Sequence, residues 1–188
     1  LDGDSQPPDP VEYREYPCLN ICFQVAWGEN FCRLGRKREK YYEFAGRCFI
    51  YTTNGFTYLD CTHHSAIPCR DADDLYNNPP LVQIYCSLKT PVPASHKEDW
   101  LGYSRDLFSI PLIGVVLHDK TSLFAVANDS ADTLCQAWHD CVHNNPCWKS
   151  AEEGSYREWR LMIYGMENDP EKLVELVKKD FPDLYMKG

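Results

Sequence analysis

Ten cysteines are spread along the chain, as Cys18, Cys22, Cys32, Cys48, Cys61, Cys69, Cys86, Cys135, Cys141 and Cys147. Their number is even, and no pair of Cys-x-x-Cys knuckles of the kind a structural zinc site needs is present. Scattered, even cysteines predict disulfides and an oxidising compartment, so a secreted domain stapled by disulfides is expected. The chain opens at Leu1 with neither an initiator Met nor a signal peptide, which reads as a mature or engineered form whose leader is already absent. Asn128-Asp129-Ser130 is an N-glycosylation sequon and makes Asn128 a glycosylation candidate, in keeping with secretion.

The 188 residues suffice for one domain with a real core. The net charge of −9 argues against nucleic-acid partners and against binding to anionic membranes, since both need a basic surface. No apolar run approaches the roughly 18 residues of a membrane helix. Residues 1–12 are rich in Pro and Asp with little to bury and are expected to form a disordered tail. Residues 13–188 then form a single domain, without internal repeats. The basic run Arg33, Arg36, Lys37, Arg38 and Lys40 reads first as a solvated helix face and second as a patch for an acidic partner.

Leu19, Ile21, Phe23, Val25 and Trp27 alternate with polar residues and predict a half-buried strand. Residues 33–45 read as a short helix closed by Gly46. Asn54-Gly55 between two β-rich runs predicts a type I′ hairpin, with Thr53 facing Phe56, Tyr51 facing Tyr58 and Cys48 facing Cys61. In that register Cys48 and Cys61 form a non-hydrogen-bonded pair, close enough for a disulfide. Ile50 and Leu59 share the face expected to be buried. Phe49, Tyr51, Phe56 and Tyr58 share the other, which is either covered by a helix or open as an aromatic binding surface.

Further on, residues 62–80 read as a loop and 81–88 as a strand with Val82, Ile84, Cys86 and Leu88 on one face. Residues 89–109 read as irregular. The runs 111–117 and 122–127 flank a turn at His118-Asp119-Lys120-Thr121 and predict a second hairpin. A helix is expected from about Ser130 to His143, with Leu134, Cys135, Trp138, Cys141 and Val142 as its apolar stripe. A strand is expected over 156–164, with Trp159, Leu161 and Ile163 on one face. Asp169 as N-cap, Pro170 at the first turn, and Lys178 and Lys179 in the last turn mark a final helix. The fold class that follows is α+β, an antiparallel sheet with about three helices packed against it.

His139, Asp140, Cys141 and His143 form the tightest cluster of chemistry-bearing residues. On a helix, His139 and His143 would present both rings on one side, as in two-histidine metal hydrolases. Asp140 is one methylene shorter than the Glu those sites use as base. The same residues also read as polar positions flanking a buried stripe, which is the reading adopted: no catalytic residues, no metal and no cofactor are expected, with His139 and His143 the alternative metal ligands. His63 and His64 read as loop histidines. No nucleophile elbow, phosphate loop or dinucleotide fingerprint is present.

Trp159, Arg160 and Leu161 complete the reading. A secreted, cysteine-rich α+β chain with a Trp-Arg-aliphatic strand motif near its C-terminal end resembles the LARS family, the Leptosphaeria avirulence and suppressor effectors of plant-pathogenic fungi. In that family the motif continues with a basic residue, where this chain has Met162. The resemblance implies a four-stranded antiparallel sheet with connecting helices, secretion into the host apoplast, no catalysis, and action on or recognition by plant immunity. The expected function is therefore a non-enzymatic, monomeric interaction protein with a host protein as partner. The alternatives are a metal-dependent or phospholipase-like hydrolase using His139, Asp140 and His143, and a small-ligand carrier.

Overall fold

The computed structural model describes residues 19, 21–25, 44–59, 82–88, 101–104, 106–137, 141–146, 156 and 158–184. Strand formers dominate these stretches, and ten strands result: β1 (Cys22–Gln24), β2 (Cys48–Thr52), β3 (Gly55–Tyr58), β4 (Val82–Cys86), β5 (Leu101–Tyr103), β6 (Phe108–Val116), β7 (Ser122–Asn128), β8 (Ala131–Ala137), β9 (Cys141–Pro146) and β10 (Leu161–Glu167). One helix follows, α1 (Pro170–Asp180), and then a short 3-10 turn, Pro182–Leu184. The strands form two sheets, in the orders β1-β9-β8-β4-β5 and β10-β7-β6-β2-β3. Neighbours are antiparallel except β4 and β5, which run parallel.

The layers follow from which side chains face which way. Ile50, Leu59, Ile113 and Val115 of the second sheet meet Tyr85, Leu134 and Val142 of the first, forming one core between the sheets. The opposite face of the second sheet carries Phe49, Leu112, Leu123, Ala125 and Tyr164, and α1 covers it with Leu173 and Val177, joined by Phe181 just beyond its end. Each of these large apolar side chains contributes roughly 1.5–3 kcal/mol of burial free energy, as an upper estimate. Among the described residues the architecture is thus sheet on sheet, with α1 outside the second sheet. Its helix has the expected signals: Asp169 accepts from the Lys172 N–H, Pro170 opens the first turn, and Lys178 and Lys179 lie in the last.

A buried polar tie joins the sheets. Asn144 of β9 donates through Nδ2 to the carbonyls of Val126 and Pro111, 3.0 and 3.1 Å away, both in the second sheet. Asn128, also fully buried, donates through its own Nδ2 to Asn144. That nitrogen is the atom a glycan would need, so in the folded protein the sequon at Asn128 is closed to modification.

The α+β expectation with about three helices is overturned, because the structure is mostly β and has a single complete helix among the described residues. The predicted helix from Ser130 to His143 is instead β8 and β9. Asp129 and Ser130 make a turn between the sheets, in which the Ser130 N–H donates to Asn128 Oδ1 at 2.8 Å. The misreading has a physical cause. β8 is buried on both faces, with Leu134 in the inter-sheet core and Cys135 in a second cluster with Ile84 and Cys86. A strand buried on both sides loses its period of two, and its apolar positions then also fit a helical stripe. Of the predicted helix 33–45, only Phe44 and Ala45 are described; both are helical and fully buried, with a turn at Gly46.

Among the described residues, which include Cys22, Cys48, Cys86, Cys135 and Cys141, no two sulfurs stand at bonding distance. Cys18, Cys32, Cys61, Cys69 and Cys147 lie outside the described residues, as do the tail 1–12, His63, His64 and the basic run 33–40. The geometric ground for a Cys48–Cys61 bridge falls with the hairpin register. Tyr51 pairs with Phe56 and Phe49 with Tyr58, and the Leu59 N–H donates to the Cys48 carbonyl. The turn residues are Thr53 and Asn54, neither with positive φ, and Gly55 alone takes φ of 108°. A type I′ turn needs positive φ at both central residues. Here the Asn54 N–H bonds Thr52 Oγ1 instead, and the turn moves one residue back.

Two strand expectations also change. β5 lies inside the stretch read as irregular. The strand expected over 156–164 is β10, and its buried residue is Tyr164, under α1. Trp159 is half-buried and Ile163 is 55 % exposed at the sheet edge. Hydropathy alternation marks two faces but does not say which one a helix will cover. The β6–β7 hairpin forms as expected, and both predicted Ile50 and Leu59 positions are fully buried.

Candidate functional site

The aromatic face of the β2–β3 hairpin is divided. Phe49 is fully buried and Tyr51 half-buried, whereas Phe56 and Tyr58 stand open to solvent. Phe56 touches the other three rings: Phe49 and Phe56 centroids are 5.1 Å apart, Tyr51 and Phe56 5.4 Å, and Phe56 and Tyr58 5.0 Å. The last two pairs meet edge to face, the arrangement the ring quadrupoles favour.

Irregular pairing aims Tyr51. The β2–β6 register shifts between Ile50 and Tyr51 and again between Tyr51 and Thr52. Ser109 Oγ donates to the carbonyls of Tyr51 and Thr52 at 3.2 and 2.9 Å and so satisfies groups the bulge exposes. Tyr51 then reaches the start of α1, where its hydroxyl donates to the Pro170 carbonyl at 2.7 Å.

A groove opens there, about 1260 Å³ in volume, between the hairpin, the β6–β7 turn and the first turns of α1. Tyr51 and Phe56 line one side. Lys120, Thr121 and Ser122 come from the turn, and Glu167, Asn168, Asp169, Glu171, Glu175 and Lys178 from the end of β10 and from α1. The turn is held by the Leu117 N–H to Ser122 O bond, and Lys120 takes φ of 63°. Asp119 accepts from the Thr121 N–H and hydroxyl at 3.0 and 2.8 Å, and these bonds hold its carboxyl below the usual range. Asn168 locks the turn to α1: its N–H donates to Thr121 O and its Nδ2 to Lys120 O.

Four carboxylates and two lysines, Lys120 and Lys178, line the groove, so its formal charge is negative. Asp169 and Glu171 serve the helix N-terminus, where negative charge is stabilising. Glu175 lies four residues after Glu171, a like-charge spacing that is mildly unfavourable on a helix. The Tyr51 phenol is pushed up to about 12, by burial first and then by the charges of Glu171 and Asp169. Asn168 Oδ1, out of contact with solvent, accepts no hydrogen bond.

A second cluster lies on the outer face of the first sheet. The register pairs Cys22 with His143, and Cys141 is two residues from His143 on the same strand. The ligating atoms of Cys22, Cys141 and His143 all lie within 4.8 Å of one another. Cys141 Sγ is 3.1 Å from His143 Nε2. Cys141 and His143 are buried and Cys22 is exposed.

The sequence-predicted residues divide accordingly. His143 sits on β9, not on a helix, and His139 and Asp140 lie outside the described residues. Arg160 pairs with a carboxylate, its Nε 3.2 Å from Asp129 Oδ2, and its guanidinium lies 5.4 Å from the Phe181 ring centroid. Trp159 and Leu161 are half-buried beside it. Residues 120–122 and 167–175 were not anticipated, because their meeting with Tyr51 is tertiary. Among the described residues no helix is long and apolar enough to cross a membrane. No protein-family model, no curated protein and no solved structure matches the chain.

Proposed function

We propose that this protein is a non-enzymatic interaction protein that takes a cationic, Lys- or Arg-bearing segment of a partner protein into the groove between α1 and the β2–β3 hairpin. The observation that carries this reading is the meeting of the Tyr51 and Phe56 rings with the carboxylates of Glu167, Asp169, Glu171 and Glu175 around one open groove. A long basic side chain fits both halves of that lining: its alkyl stem lies along the rings, and its charged head reaches the carboxylates. A cation also offsets the like-charge spacing of Glu171 and Glu175. Cation–ring contacts at such exposed sites contribute about 0.5–1 kcal/mol and exposed ion pairs about 0.2–1 kcal/mol. The binding is therefore weak per contact and sensitive to salt. A host protein as partner and an extracellular setting belong to the proposal through the Trp159-Arg160-Leu161 resemblance alone.

Calorimetric titration with a Lys/Arg-rich peptide and with a Glu/Asp-rich peptide of equal length tests it. The basic peptide binds and the acidic one does not. Glu167→Gln together with Glu175→Gln weakens binding about tenfold, or ~1.4 kcal/mol, and Phe56→Ser weakens it further. Equal binding of both peptides, or variants that bind as the natural chain does, refutes the reading.

A further inference from the structure

We propose that Cys22, Cys141 and His143 form a site for a thiophilic metal ion, Zn²⁺ in the first instance, that fastens the edge strand β1 to β9. β1 is only three residues long, at the edge of its sheet, and its paired residues are Cys22, Phe23 and Gln24. Of these, Cys22 faces His143 directly, and the period of two puts Cys141 on the same face.

The donor set is chemically specific. Two thiolates and one imidazole are the ligands that zinc prefers over the hard, oxygen-seeking cations. Three protein ligands leave one tetrahedral position for water or an external donor. With metal–sulfur bonds near 2.3 Å and metal–nitrogen bonds near 2.0–2.1 Å, tetrahedral donors stand about 3.6–3.8 Å apart. The three atoms lie within 4.8 Å of one another, so small side-chain rotations bring them to that spacing. The Cys141–His143 contact of 3.1 Å opens slightly as the ion enters.

The backbone around the site is already fixed. Asn145 Oδ1 accepts from the Ile21 N–H at 3.0 Å, beside Cys22, while its Nδ2 donates to Thr133 Oγ1 at 3.2 Å. Asn145 thus ties β1 to β8 across β9 and sets where Cys22 meets the other two ligands. The exposed Cys22 side gives the ion its way in. Binding deprotonates both thiols, with the two protons released to solvent, so affinity rises with pH.

Cobalt titration of the reduced, chelator-treated full chain tests the assignment. About one Co²⁺ binds per chain with a thiolate-to-cobalt charge-transfer band, and Zn²⁺ displaces it. Cys22→Ser leaves the far-ultraviolet circular dichroism unchanged, because Cys22 is exposed, and lowers cobalt affinity at least about tenfold. X-ray absorption of the zinc-loaded natural chain, which needs no variant, gives two sulfur neighbours and at least one imidazole. Absence of the charge-transfer band overturns the proposal. So does an identical band and affinity in Cys22→Ser, which places the bound ion on other cysteines. A Cys22–Cys141 cross-link in a non-reducing digest of the untreated protein overturns it as well, since those sulfurs would then be a disulfide.

Discussion

Gly114→Ala gives the sharpest view of how the hairpin face is built. Gly114 pairs with Phe49 across β2 and β6, and the Phe49 ring lies flat over it. A Cβ at position 114 would meet three atoms of that ring, with Cε1 at 2.8 Å and Cε2 at 2.9 Å. Real carbon contacts do not come so close, so the ring must move. It has little room, since Phe49 is fully buried against Leu112 and the α1 residues. Overpacking of this kind costs about 1–3 kcal/mol. For a chain of this size each kcal/mol lowers Tm by about 2–4 °C. Phe49 also stacks on Phe56, so the displacement reaches the groove wall and weakens the binding of a basic peptide. A double-mutant cycle by urea unfolding isolates the effect: in a Phe49→Leu background, where the ring is gone, Gly114→Ala costs less than about 0.5 kcal/mol. An alanine at 114 that is neutral in the natural chain, or equally costly in both backgrounds, refutes the reasoning.

Asn144→Ala removes two donors to buried carbonyls and the acceptor for Asn128 Nδ2, and is expected to lower the urea-unfolding free energy by about 3–4 kcal/mol. Tyr51 titrates late. Because its folded pKa is raised to about 12 from 10.0, the phenol stabilises the fold fully below pH 10, and that stability is lost as pH rises through about 12. Ultraviolet titration of tyrosinate shows one fewer high-pH phenol in Tyr51→Phe, and the variant's stability falls less steeply between pH 10 and 12.

Much of the sheet structure was legible in the sequence. The β6–β7 hairpin has clean apolar runs around polar turn residues, and α1 has its cap, its proline and its terminal lysines. The β2–β3 hairpin was legible in its existence and its faces. Its register was not, because Gly55 supplies the positive φ alone and the turn falls on Thr53 and Asn54. Moving the pairing by two preserves which side each residue faces, so Ile50 and Leu59 are buried as expected. The stretch from Ala131 to Pro146 misled for a different reason: burial on both sides of β8 and β9 erases the alternation that marks a strand. The candidate site was half visible. Phe49, Tyr51, Phe56 and Tyr58 were on one face by period alone. Their acidic neighbours come from residues more than a hundred positions later, and local pattern carries no information about that contact.

Hydrogen exchange of the full chain, with and without a saturating Lys/Arg-rich peptide, tests the binding groove most directly. Protection is expected at Lys120–Ser122, at Glu167–Glu175 and along the β2–β3 hairpin, and it should fade as salt shortens the screening length below about 8 Å. Protection confined to β1 and β9, or none anywhere at saturation, contradicts the assignment of the groove as the binding surface.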